Sequence, residues 1–189
     1  MRRRVWCGVL RAVLVTALAV LVYGSRAWAP PAQGPAPAGA DAGVPALAGL
    51  WPVGVRPPVL RGWEPPATPY GPGHRGVDLA AAPGSPVRAV AAGRVSFAGR
   101  VAGRGVVTVE LTGTGLRTTY EPVSPSVQAG ARVRAGDVVG TVAAGAHCGD
   151  AACVHWGLLR GAAYLNPLSL LPPWLLGRGP ARLLPVLTG

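Results

Sequence analysis

Residues 74–79 read His74-Arg75-Gly76-Val77-Asp78-Leu79, and residues 153–157 read Cys153-Val154-His155-Trp156-Gly157. Two histidines and one aspartate suit a three-ligand metal site with an open fourth position, the arrangement of a catalytic zinc. On one regular strand His74 and Asp78 would share a face but stand about 13 Å apart, too far for a single ion. A turn at Gly73–Gly76 is therefore expected to fold the backbone and bring them together, and its glycines make that sterically accessible. His155 comes from a distant segment. Three ligands from two separated stretches need a rigid β scaffold beneath them.

Outward from these stretches, short apolar runs alternate with glycine turns from Pro69 onward. Gly76–Ala80, Pro86–Ala91, Gly93–Ala98, Val106–Leu111, Leu116–Tyr120, Val138–Ala143 and Val154–Leu159 are candidate strands. Pro83-Gly84, Gly99–Gly105, Gly113–Gly115 and Gly136-Asp137 supply turn chemistry between them. Val106-Val-Thr-Val-Glu-Leu111 is dense in β-branched residues. Helix signal is almost absent from 67 to 168. The pattern predicts an all-β domain, a mainly antiparallel sheet or sandwich.

Five motifs in this order resemble the LytM or lysostaphin-type peptidases, zinc enzymes that cut peptide bonds of bacterial peptidoglycan. His74-Arg-Gly-Val-Asp-Leu79 is similar to their His-x-x-x-Asp motif. Ser85-Pro-Val-Arg-Ala-Val-Ala-Ala-Gly-Arg-Val95 resembles the strand–turn–strand that follows it. Leu116-Arg-Thr-Thr-Tyr120 resembles the Thr-x-Tyr strand, Val133-Arg-Ala-Gly-Asp-Val-Val-Gly140 the Val-x-x-Gly-x-x-Ile-Gly turn, and Val154-His-Trp-Gly-Leu158 the end of the late His-x-His motif. The resemblance covers roughly residues 70–168. It implies a LytM-type fold, zinc held by His74, Asp78 and His155, and peptidoglycan as partner.

The same resemblance exposes two departures. The family places one assisting histidine two residues after the motif tyrosine, where this chain has Pro122, and another at the first position of His-x-His, where it has Cys153. Neither proline nor a disulfide-bonded cysteine moves a proton or donates strongly to an oxyanion. A positioned general base is worth roughly 10²–10⁴-fold and an oxyanion donor about 10²–10³-fold. Glu121 and His147 are the candidate catalytic substitutes. Two readings follow: a peptidoglycan metalloendopeptidase with altered catalytic groups, or a pseudoenzyme that binds wall or regulates another hydrolase with its metal site retained.

A carrier domain with a biotinyl or lipoyl arm shares the Pro-Val-x-Ala…Gly-x-Val pattern. It needs a lysine for attachment, and this chain has none.

Arg2, Arg3 and Arg4 precede an apolar run from Ala12 to Gly24, and Ala27-Trp28-Ala29 fits a small-x-small cleavage site. The run is short of the roughly 20 residues a membrane span requires. Residues 1–29 therefore read as a signal peptide or an N-terminal membrane anchor. Pro30, just after the cleavage site, argues against cutting there, so both alternatives stay open. Either one sends the chain to the bacterial envelope or outside the cell.

An oxidising compartment favours a disulfide between Cys148 and Cys153. Residues 30–66, with Gln33-Gly-Pro-Ala-Pro-Ala-Gly-Ala40, read as a Pro/Ala/Gly-rich linker too small-sided to build a core. Trp51 and Trp63 point to packing of its second half. Residues 67–168 form the domain, and 169–189 a Leu/Pro-rich arm in which proline forbids a long helix.

The net charge is +11, and every basic residue is arginine. Five arginines lie before residue 30. The remainder carries thirteen against seven carboxylates, a net of +6. That excess suits an anionic wall. No basic run interleaves with aromatics, so nucleic acid is not an expected partner.

Overall fold

The computed structural model describes residues 43–68, 70–144, 148–149 and 151–177. The leader reading on residues 1–29, the first part of the linker and the end of the C-terminal arm lie outside these residues, and so does His147.

Among the described residues there are eleven strands and one 3-10 turn. The strands are β1 Val59–Arg61, β2 Gly76–Ala80, β3 Pro86–Arg88, β4 Gly93–Val101, β5 Arg104–Leu111, β6 Leu116–Glu121, β7 Val123–Pro125, β8 Arg132–Val133, β9 Val138–Val142, β10 Cys153–Arg160 and β11 Ala163–Leu165. They form a large sheet in the order β1-β2-β10-β6-β5-β4-β8, with β11 also on β10, and a small sheet in the order β3-β9-β7. The named strand pairs are all antiparallel. The expected all-β, antiparallel fold class is the one observed.

Alternation of side chains explains which face goes inward. Along β6, Leu116, Thr118 and Tyr120 are buried, while Arg117, Thr119 and Glu121 face the other way and are half-buried. Along β5, Val107, Val109 and Leu111 point in, and Glu110 is exposed. β10 is buried from Cys153 to Leu159. It is paired on both edges, by β2 with β11 and by β6, so neither edge meets water. Trp156, Tyr120 and Val77 of the large sheet meet Val87, Val139, Val142 and Val123 of the small one in a single apolar cluster.

The second half of the stretch read as a linker is part of this core. Ala48, Trp51 and Val53 are buried. Gly49 N–H donates to Val90 O at 3.0 Å, and Ala48 N–H to Leu170 O at 2.9 Å. Trp51 Nε1 donates to Leu175 O at 3.2 Å, tying this segment to the C-terminal arm. Backbone hydrogen bonds and the buried Trp51 and Val53 side chains together hold the segment down. The run expected as one strand over Pro86–Ala91 stops at Arg88. Ala89, Val90 and Ala91 remain buried, but Ala89 N–H turns to Asp137 O. No helix among the described residues is long and apolar enough to cross a membrane.

Tyr120 is fully buried, and burial pushes its phenol up to about 12. The unfolded phenol titrates near 10. A raised folded-state value means the native state keeps a proton that the unfolded chain has lost. Its stabilising share is complete below pH 10 and declines as pH climbs towards 12, by roughly 3 kcal/mol in total. No lysine titrates across this window, because the chain has none. Urea unfolding at pH 9 and pH 11 is expected to show the loss, and Tyr120→Phe is expected to flatten it. An equal slope in both proteins contradicts the assignment.

Candidate metal centre

His74, Asp78 and His155 reach one point from two strands and a bend. The backbone bends through Gly71–Gly73. His74 then pairs with Glu64 as an isolated antiparallel bridge. His74 N–H donates to Glu64 O at 2.8 Å, and Glu64 N–H to His74 O at 3.1 Å. β2 begins at Gly76, and in it Asp78 lies directly opposite His155 of β10. A further bend at Arg75, between the bridge and β2, brings His74 to Asp78, where a straight strand would separate them.

The three donor atoms form a closed triangle. Asp78 Oδ1 is 2.8 Å from His155 Nδ1 and 3.0 Å from His74 Nε2. His74 Nε2 is 3.1 Å from His155 Nδ1. All three side chains are buried. A tetrahedral zinc with bonds of 2.0–2.1 Å has ligand–ligand edges of about 3.3 Å, so the triangle is close to the size the ion requires. Two imidazoles and a carboxylate are a donor set suited to zinc. Among the described residues no other group of histidine, cysteine, aspartate and glutamate converges in this way.

Backbone around the triangle holds its side chains in place. His74 Nδ1 lies 2.6 Å from the carbonyl oxygen of Gly62. A proton on Nδ1 donated to that oxygen leaves the Nε2 lone pair aimed at the other two ligands, the tautomer a metal needs. Gly62 follows β1, in the extended lead-in, and no motif marks it. His155 depends on Gly76. A Cβ at Gly76 would stand 2.5 Å from His155 Nε2 and 2.4 Å from Trp156 O. Only glycine leaves that imidazole its place on the sheet.

The centre opens on a cavity of about 350 Å³ lined by Leu60, Arg61, Asp78, Cys148, Gly149 and Ala151. Cys148 and Cys153 form a disulfide with Cα atoms 6.2 Å apart. It pins the segment beside Asp78 and consumes the thiol at Cys153. Glu121 sits in β6 opposite His155. Its Oε1 accepts from Arg104 Nη1 at 3.2 Å. Glu121 is thus a neighbour of the triad and no member of it. The sequence offered no sign of the Arg104 partner, 17 positions away.

A buried His-His-Asp triangle on an antiparallel sheet, with Asp78 facing a cavity, is a group that could hold a metal ion. The profile of Peptidase family M23 matches residues 72–167, and the chain belongs to that family. It is of the LytM or lysostaphin type. The chain is similar to uncharacterised protein Rv2891 of Mycobacterium tuberculosis, with 48% identity over 126 residues, covering 64% of this chain and 50% of that protein. It is similar to the DD-carboxypeptidase/endopeptidase Mpg of Neisseria meningitidis, with 36% identity over 101 residues, covering 53% of this chain and 23% of that protein. It therefore spans half or less of the length of these curated relatives. The catalytic domain of the antimicrobial peptidase lysostaphin from Staphylococcus simulans shares the fold, with a TM-score of 0.53 and 22% identity, covering 64% of this chain and 92% of that one.

Proposed function

We propose that this chain is an exported, zinc-dependent endopeptidase that cleaves peptide stems or cross-bridges of bacterial peptidoglycan. The observation that carries the reading is the convergence of His74, Asp78 and His155 beside an open cavity. The similarity to Mpg, a DD-carboxypeptidase/endopeptidase, and to the peptidase lysostaphin supports it. When bound, the ion supplies a Lewis acid that polarises a carbonyl and brings a bound water's pKa down to ~7.

The chain's own residues do the rest. Gly62 O holds the His74 tautomer, and Gly76 leaves room for His155. Glu121 is the carboxylate next to the triad, on the same sheet face as His155. Arg104 holds it in place. Glu121 is assigned the proton of the attacking water, the role for which the resemblance leads one to expect a histidine at position 122. A base in that role contributes roughly 10²–10⁴-fold. Glu121→Gln is accordingly expected to lower the cleavage rate by about 10²-fold or more, with zinc content unchanged. An unaltered rate removes Glu121 from the mechanism.

A second reading is favoured by a specific pair of observations, Pro122 and the disulfide-bonded Cys153. Without the two assisting histidines the metal site serves a module that binds wall or regulates another hydrolase. Mass-spectrometric analysis of muropeptides separates the two. Purified wall is incubated with the zinc-loaded chain and with His74→Ala. New products that require zinc and His74 establish the endopeptidase and identify its bond. A folded, zinc-occupied protein that sediments with wall and releases nothing establishes the binding module.

A further inference from the structure

A second and larger cavity, about 540 Å³, lies beyond Glu121. Its volume is in the range of small-ligand sites, roughly 300–1,000 Å³. The β4–β5 hairpin forms one wall, Pro122–Pro125 the floor, and Ala143 with Ala144 the far side. Ala143 N–H donates to Pro122 O at 3.0 Å, which fixes that side to the floor. Gly105 keeps the wall close, since a Cβ there would stand 2.0 Å from Val123 O.

The charged residues that line this trough are both cationic, and Glu121 stands at its edge, paired with Arg104. Two guanidinium groups, Arg100 and Arg104, line it, and none of the lining residues is acidic. Arg104 is in monodentate contact with Glu121, through Nη1 at 3.2 Å. Arg100 Nη1 donates to Gly103 O at 2.8 Å. Each guanidinium has further N–H donors in a planar fork that matches a carboxylate. Small residues, glycine and alanine, make up most of the rest, so an extended chain can lie against backbone.

The trough lies two strands across from the metal centre and further along them. His155 is on β10, with Glu121 opposite it on β6. The β5–β6 register sets Val107 against Tyr120, so Arg104 stands one strand further and two residues beyond the level of Glu121. Two strand spacings and a two-residue offset combine to about 12 Å, roughly the length of three to four extended residues. We infer that this trough is a substrate subsite that binds a carboxylate of the peptide three to four residues from the bond held at the metal, with Arg100 and Arg104 as its recognition residues. The inference rests on the peptidase reading above for the word substrate, and on the cavity and its arginines for the carboxylate.

The test is a binding titration of the full chain, isotope-labelled and followed by NMR. The probes are N-acetyl-trialanine, its C-terminal amide, and N-acetyl-Ala-Glu-Ala amide. A carboxylate peptide is expected to shift the amides of Gly99–Gly105 and Val123–Ser124 and to bind about tenfold or more tightly than the neutral amide. Preference for trialanine acid assigns an α-carboxylate, and preference for the glutamate peptide a side-chain carboxylate. Arg100→Gln, which leaves the Glu121 contact intact, and Arg104→Gln are each expected to remove about tenfold of that preference. Equal binding of acid and amide peptides, or wild-type preference in both variants, overturns the subsite.

The titration needs neither metal nor cleavage, so the two proposals fail separately. Carboxylate preference in a protein that releases no muropeptides sinks the peptidase reading alone. Cleavage without carboxylate preference sinks the subsite alone.

Discussion

Trp156→Ala is expected to cost about 3–5 kcal/mol, the usual range for deleting a buried tryptophan. The side chain is fully buried and packs edge-on against Trp51, with centroids 6.4 Å apart and planes at 62°. Its Nε1 donates to Thr118 Oγ1 at 2.6 Å, and that hydroxyl donates on to Gly157 O at 3.0 Å. Alanine leaves a void at the meeting point of three segments. β10 loses its central side chain, Trp51 loses its partner, and the tie from Trp51 to Leu175 loses its support. Domains of this size hold only about 5–15 kcal/mol in all, so a large share of the stability goes. Urea unfolding should show a lower midpoint with an unchanged slope, and the melting temperature should fall by roughly 10 °C or more. Trp156→Phe keeps a ring against Trp51 and loses only the N–H, so a much smaller loss is expected. A cost below about 1 kcal/mol for the alanine variant shows that the tryptophan pair does not anchor the arms.

The contrast between Trp156 and the edge strands explains what could be read in the chain. β2 was legible to its ends, Gly76–Ala80, because it carries apolar residues and the Asp78 end of the His-x-x-x-Asp motif. β5 and β6 were legible through β-branched content and alternation. β1 was not, because Val59, Leu60 and Arg61 are all exposed. It is a strand through its pairing with β2, and a strand made by a partner leaves no pattern in its own side chains. β7, β8 and β11 are two or three residues long and fail for the same reason.

Strand order was equally hidden. β10 lies between β2 and β6, and nothing local to residues 153–160 says so. At the centre, His74, Asp78 and His155 announce themselves by residue type. The Gly62 carbonyl that orients His74 is a backbone atom, and backbone atoms have no sequence signature. The long-range pair Arg104–Glu121 stays invisible until the hairpin is folded.

Asp78→Asn tests the centre itself with the least structural disturbance. Asparagine keeps the size of aspartate, and its amide can still meet His74 and His155 by hydrogen bonding. The fold is therefore expected to survive, with unfolding within about 1 kcal/mol of the parent protein measured without metal. Metal binding is another matter. The carboxylate is the only anionic ligand in the triangle, and a neutral amide oxygen is a far weaker donor to zinc. Even changes one shell further out cost 10–100-fold in affinity, so the loss here is expected to exceed about 100-fold in competition with a chelator of known strength. Muropeptide release should fall to the level of His74→Ala at any zinc concentration that leaves the variant empty. Saturating zinc separates affinity from chemistry. If cleavage returns when the variant is loaded, Asp78 acts by holding the ion. If the loaded variant stays inactive, the carboxylate also sets the charge that the bound water feels. Unchanged zinc affinity in Asp78→Asn would mean that the ion, if it binds, binds elsewhere, and the triangle of His74, Asp78 and His155 would then be a buried hydrogen-bond cluster and no metal site.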